Sequence, residues 1–492
     1  MENTVININQ KISSNTKIIV VQGDIIVPDI KPDIISIINA NAIPYIYKEE
    51  ALSGKIRIEG NIDSYIVYLA DNGENRSIGT TLSFIENIED SKIKEGDLVK
   101  QSITLESIEA KVLNERKIAI SATLKVKSEV FEQSEISLKN NFNEINDIQK
   151  LTESLNIKSI IGLNTVKTSI KEDIIADETY NISEILKVSL NIVNTENKIS
   201  INKVLAKADA EIKVIFLSED GRIGMINASI PVMSFIDIDK ISDKNICNTN
   251  YVIRNMLFKV SSTNKRAINC QIEFDVSCEA YEIKNIEVIQ DMYGINTNID
   301  FTKKDVLVQT DDDDIFEKIS INENIIVEDI LSFYDVEMSA KVLNITPVGA
   351  SYNYECELNM CLYYEADSKT GLNIKNVTIP FNFKLNNDFG NIEFKFNKKD
   401  FKINGENVNL EIEIIAYQRS NNAKSISIIE NVETSEINDD DGYKMIVYFV
   451  KPSDTLWSIG KQFRVPVQDV LLQNELENEN SISAGDRLYI MR

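Results

Sequence analysis

Four consecutive aspartates, Asp311 to Asp314, are the densest set of potential ligands in this sequence, and hard-cation binding is the chemistry they could do. No EF-hand spacing or glycine follows at the needed offsets, so the run reads as a solvated acidic loop. Acid–base chemistry is bounded more sharply, because none of the 492 residues is histidine. That removes the commonest general base, the commonest metal ligand and any nucleophile–histidine pair. The Gly-Asp pairs at Gly23-Asp24, Gly96-Asp97 and Gly485-Asp486 have neither a strand–loop–helix setting nor a following Lys-Ser/Thr. They therefore lack what a phosphate cradle requires. Cys247, Cys270, Cys278, Cys356 and Cys361 are an odd set, and no export signal is visible at the N-terminus. They read as reduced thiols packed as small hydrophobes. No catalytic residue, metal or cofactor is expected.

The elements around these residues are mostly strands. Ile118–Lys127, Ile272–Cys278 and Leu410–Ala416 alternate apolar and polar residues with period two, the pattern of sheets with one wet face. The strands recur. Ile66–Gly73, Val214–Gly221 and Leu362–Gly371 each run from an apolar strand into an acidic glycine turn, with the glycines 148 and 150 residues apart. Asn114-Glu-Arg-Lys-Ile118 matches Asn264-Lys-Arg-Ala-Ile268 at an offset of 150, and Gly405–Val408 matches less closely. Three β-rich repeats are expected at 1–150, 151–298 and 299–432. An acidic linker without apolar periodicity follows at 433–443, and it should tether a separate C-terminal unit, 444–492, flexibly.

That unit has its own pattern. Asp454 or Ser453 is placed to cap a helix starting near Thr455, with Leu456, Ile459, Gly460 and Phe463 along one face. Pro466 suits the first turn of a second helix carrying Val467, Val470 and Leu471 inward. The strand, the Asp-Thr-Leu-Trp turn, the two helices and the Gly-Asp-Arg-Leu return strand resemble a LysM module. The resemblance implies a βααβ fold and binding of N-acetylglucosamine glycans such as peptidoglycan. By the family pattern the groove would lie between Ser453, Asp454, Thr455 and Leu456 on one side and Asn480, Ser481, Ile482 and Ser483 on the other. Ser453 stands where the family usually has glycine, and a Cβ there would narrow the groove. Trp457, the only tryptophan, reads either as semi-buried structure or as a sugar platform. Trp457, Gln462, Gln468 and Asn474 would offer a helix surface to a protein partner.

Near the other end, Val27-Pro28-Asp29-Ile30-Lys31-Pro32-Asp33 resembles the signature of the SPOCS domain of bacterial spore-coat proteins. Val27, Pro28, Asp29, Lys31, Pro32 and Asp33 carry the resemblance; the prolines enforce an extended lead-in to the sheet. The later repeats lack the string. SPOCS repeats followed by one LysM module resemble the SipL-type coat morphogenetic proteins of anaerobic spore formers. The resemblance implies a non-enzymatic scaffold in the mother-cell cytoplasm, at the forespore surface and in the spore coat. Its LysM module would bind the coat basement-layer ATPase, and other coat proteins would be partners; the alternative is a peptidoglycan-binding protein.

Charge agrees with protein partners. The net charge of −25 is carried by residues 1–443, because acidic and basic residues balance in 444–492. Such a body repels nucleic acid and anionic membranes, and no apolar run is long enough to span a bilayer. The fold expected is an elongated, mainly antiparallel β protein with three repeats and a small βααβ module.

Overall fold

A computed structural model of the chain describes residues 4–138, 147–310, 315–366, 369–386, 392–418, 423–437, 445–478 and 481–491. The expected aspartate loop at 311–314 and most of the expected linker lie outside the described residues.

The first six strands are β1 (Thr4–Ile26), β2 (Ile34–Leu52), β3 (Lys55–Ala70), β4 (Asn75–Glu89), β5 (Leu98–Asn114) and β6 (Lys117–Leu138). They form two antiparallel sheets, ordered β1-β6-β5 and β2-β3-β4. Alternation decides which face packs. In β6, Ile118, Ile120, Ala122, Leu124 and Val126 are buried, while the intervening polar residues lie on the other face.

The same pairing recurs in β7 (Ile148–Ile175), β8 (Ile182–Ser200), β9 (Lys203–Ser218), β10 (Ile223–Asp237), β11 (Ile246–Val260) and β12 (Ala267–Gly294), as sheets β7-β12-β11 and β8-β9-β10. It recurs again, with the two longest strands each in two pieces. These strands are β13 (Thr297–Gln309), β14 (Ile315–Ile326), β15 (Ile330–Val348), β16 (Ser351–Ala366), β17 (Lys369–Leu385), β18 (Ile392–Asn404), β19 (Asn407–Gln418) and β20 (Ala423–Glu436). Here β13 pairs β20, β19 lies between β14 and β18, and β16 lies between β15 and β17. Gly73 and Gly221 turn the chain at equivalent hairpins with φ of +81° and +84°, and Gly371, with φ +97°, sits inside β17 at the register shift just after the corresponding hairpin; glycine adopts these angles without a Cβ clash. The seams expected at 150, 298 and 432 fall inside β7, β13 and β20. Residues 433–436, expected in the linker, continue β20 opposite Thr297–Asp300. Their polar side chains looked like a linker because a ribbon with a wet face needs few apolar residues.

The three units are not strung out lengthwise as expected; they close on one another at two junctions. At the first, Ile136, Ile286 and Ile426 meet, with Leu138, Val288 and Ile428, in one cluster that also takes Ile6, Ile8, Ile157, Val306 and Val308. At the second, Val67 of β3, Ile215 of β9 and Tyr363 of β16 meet, each 148 residues after the last. Contacts with two neighbours bury apolar faces that an extended string would expose.

Polar groups line the second junction. Asn39, Lys187 and Asp335 stand at the same register break of β2, β8 and β15, again at intervals of 148. The Lys187 ammonium, 1% exposed, pairs with Asp335, lies 3.2 Å from Glu337 and sits 4.1 Å from the centre of the Tyr363 ring. Lys213 reaches the other oxygen of Asp335 at 2.6 Å. Asn39 donates to the Tyr363 hydroxyl, and Asn41 and that hydroxyl both donate to Glu337. Buried charges are tolerated where they are paired and hydrogen-bonded, as these are.

The C-terminal unit is β21 (Ile446–Phe449), α1 (Leu456–Phe463), α2 (Val467–Gln473) and β22 (Arg487–Ile490), the βααβ order expected. Val450, Leu456, Ile459, Val465, Val470, Leu488 and Ile490 form its own core.

Candidate functional site

α1 starts on a capping box, in which Thr455 Oγ1 accepts from Ser458 N–H at 3.0 Å and Ser458 Oγ accepts from Thr455 N–H at 3.0 Å. The cap is therefore Thr455, where the sequence had suggested Asp454 or Ser453. Asp454 turns the other way and accepts from Lys451 N–H and the Tyr448 hydroxyl, both at 2.8 Å. The Lys451 amide, then the hydroxyl, hold its carboxyl below the usual range. Ser453 has φ +76°, in the left-handed region that favours glycine, so the departure from the family pattern falls where a side chain is strained. Ser453, Thr455, Ser481 and Ser483 are exposed, Ile482 is half-buried against the core, and Leu456 is fully buried. Asn480 lies outside the described residues. The two loops thus present hydroxyls to solvent.

The helix residues divide. Gln462 and Gln468 are exposed. Asn474 is half-buried, and its amide donates to Val470 O and Tyr489 O and accepts from Tyr489 N–H, tying α2 to β22. Trp457 faces the large β body, the point sequence reasoning missed. Its indole N–H donates to Asp291 at 2.8 Å, and its ring meets Tyr293 edge-on at 5.0 Å. Lys461, one turn on, pairs with the same carboxylate at 2.6 Å. Burial alone would raise the Asp291 pKa, but Lys461 and the Trp457 N–H outweigh it and hold the group below the usual range. The Tyr293 hydroxyl donates to Val465 O at 2.8 Å, and Arg464 bonds Asn298. Gly460 allows the approach, since a Cβ there would lie 2.8 Å from the Tyr293 oxygen. The unit expected to hang from a flexible tether is docked on the ends of β12 and β13. Asp291 and Trp457 are 166 residues apart and share no local pattern, so no sequence signal could have found the pair.

The outer face of β21 and β22 is apolar and open. Val447 is 48% exposed, Phe449 61% and Met491 49%, and Tyr489 lies between them under Arg487.

The proline-rich string fills the turn from β1 to β2 and works as a clamp. Arg116, at the β5–β6 hairpin, donates to the carbonyls of Val27, Pro28 and Lys31 and to Asp33. Pro32 O accepts from the Tyr68 hydroxyl, and Asp29 projects into solvent. Lys31 crosses to the second unit and pairs with Glu184 of β8 at 2.7 Å. Arg266, the counterpart of Arg116 at 150 residues' distance, likewise holds Ala176 O.

Comparison with protein families assigns residues 181–261 to the SipL SPOCS domain. Residues 448–490 match the LysM domain. The SPOCS match falls on the second unit, although the string that carried the resemblance lies in the first. No curated protein and no solved structure matches the chain. The class is that of β-rich proteins with a SPOCS domain ahead of a LysM domain, two families of non-catalytic binding domains. The two matches fit the SipL-type architecture, and the domains support a sporulation coat-associated protein with peptidoglycan-binding capacity.

Proposed function

We propose that this chain is a non-enzymatic adaptor of spore-coat assembly that acts in the mother cell at the forespore surface. Its three β units would each be a SPOCS-type domain, and its LysM domain would bind the coat basement-layer ATPase. The observation that carries the reading is the open apolar face of Val447, Phe449, Tyr489 and Met491. Apolar area concentrated on one face of so small a unit is typical of a protein interface, whereas glycan loops present hydroxyls. The acidic body and the charge-balanced tip allow two partners to be engaged at once.

Peptidoglycan binding is the second reading, favoured by the exposed hydroxyls of Ser453, Thr455, Ser481 and Ser483. A two-armed retention assay with the full chain separates the two. One arm uses insoluble peptidoglycan and the other the immobilised ATPase. On the adaptor reading, Val447→Ser with Phe449→Ser abolishes retention by the ATPase, and Ser481→Ala leaves it intact. Retention by peptidoglycan alone, lost in Ser481→Ala, would replace the adaptor with a glycan-binding protein.

A further inference from the structure

We propose that the α1 face of the LysM domain is a second recognition surface, built for a segment carrying a carboxylate and, two residues on, an aromatic ring. In the docked state the chain's own Asp291-Met292-Tyr293 occupies it as an autoinhibitory latch.

Three observations carry this. First, the fit is specific. One carboxylate is shared between an indole N–H at 2.8 Å and an ammonium at 2.6 Å, and the neighbouring ring meets Trp457 edge-on while its hydroxyl reaches Val465 O. Second, the receiving face is shaped for that ring. Gly460 lies under that ring: a Cβ there would come 2.8 Å from the tyrosine oxygen, and it would come equally close to the unit's own Val465 O, so the glycine serves both the α1–α2 turn and the docked ring. Third, the contact is small. It rests on Asp291, Tyr293 and Asn298 from the body, with the Phe301 ring 5.8 Å from the Lys461 ammonium, while the LysM core closes without them. Such a contact opens without unfolding either part. A ligand for this face must displace the latch, so its apparent affinity is reduced by the fraction of molecules closed.

The glycan loops are not involved. Ser453, Thr455, Ser481 and Ser483 are exposed with the latch closed. The latch therefore separates two kinds of ligand: it withholds α1 from protein segments and leaves the loops open to sugar. The inference goes beyond the adaptor reading and does not depend on the identity of the coat partner.

Trp457 is the only tryptophan, so its fluorescence reports the latch directly. The test compares the full chain with Asp291→Ala/Tyr293→Phe, in which the ring is kept to preserve packing, and with Asp291→Asn as a milder variant. Acrylamide quenching of Trp457 should rise about twofold in the double variant as the indole becomes accessible. A synthetic peptide copying residues 286–296 should then bind the opened protein about 5- to 10-fold more tightly than the wild type, read by the same fluorescence. Retention on peptidoglycan should be the same for all three proteins. An indole that stays shielded in both variants would overturn the latch. An exposed indole with no gain in peptide binding would overturn the recognition surface. Neither result bears on the ATPase assay, so failure here is distinct from failure of the adaptor reading.

Discussion

Asp335→Ala should be the most damaging single change at the second junction. The substitution removes the anion that Lys187 and Lys213 share. Lys213 is about one-third exposed and can turn to water, but Lys187 is 1% exposed and cannot. Its remaining anion is Glu337 at 3.2 Å, a group already accepting from Asn41 and Tyr363. Removing one partner of a buried pair costs about 3–5 kcal/mol, and the residual Glu337 contact argues for about 3. Replacing both charges, Lys187→Met with Asp335→Leu, should restore the midpoint to within about 1 kcal/mol of wild type, since desolvation of the pair disappears with it. The assay is urea unfolding followed by far-ultraviolet circular dichroism of the wild type, Asp335→Ala, Lys187→Met and the double variant. The pH dependence gives a second reading. Burial would raise the Asp335 pKa, but Lys187 and Lys213 together hold it below the ordinary value of 3.8. Its contribution is therefore fully present above that value and is lost as pH falls through the depressed folded-state value. A loss below about 1 kcal/mol in Asp335→Ala would refute the reasoning, because it would mean that Lys187 reaches water.

Thr455→Ala removes the hydroxyl half of the capping box and should lower LysM stability by about 1 kcal/mol, seen as an earlier loss of the Trp457 signal on heating. The same change would disturb any glycan groove indirectly, so Ser481→Ala is the cleaner probe of sugar contact. Gly60→Ala would place a methyl 2.6 Å from Tyr45 O and within 2.3 Å of the Phe84 ring; a cost of about 1–3 kcal/mol is expected in urea unfolding. Burial pushes the Cys270 and Cys356 thiols up to about 12, so iodoacetamide at pH 8 should leave both unmodified in the folded protein and label both in urea, by mass spectrometry.

The fold class was readable because one-faced sheets write their burial into the chain. The run Leu410 to Ala416 alternates, and Leu410, Ile412, Ile414 and Ala416 are the residues that pack. The glycine hairpins were equally plain, since a tight turn needs φ above zero and few residues supply it. Pairing was harder to read. β1 finds β6 across four intervening strands, and nothing local in Ile18 or Val20 names Lys125 or Thr123 as the partner. The closure of the three units was invisible for the same reason: Val67, Ile215 and Tyr363 each look like ordinary strand interior. At the LysM domain, the helices and inward residues followed from periodicity, but the cap did not. Ser453, Asp454 and Thr455 are all competent caps, and the choice rests on Ser458 answering Thr455 three residues on. The docking of Trp457 depends on a carboxylate in another part of the chain, which composition and spacing cannot supply.

The first junction also sets a schedule for biosynthesis. Its apolar cluster takes Ile136 and Leu138 from β6 but also Ile426 and Ile428 from β20. At ~5–20 residues per second, the last contributors leave the ribosome roughly 15–60 s after the first unit is complete. For that interval the nascent chain carries one half-built apolar seam, then two, with their eventual cover not yet made. A molecule of this design needs either a chaperone on those ribbons or slow strand exchange between neighbouring nascent chains, and truncations ending before β20 should accumulate as aggregates rather than as shorter folded proteins.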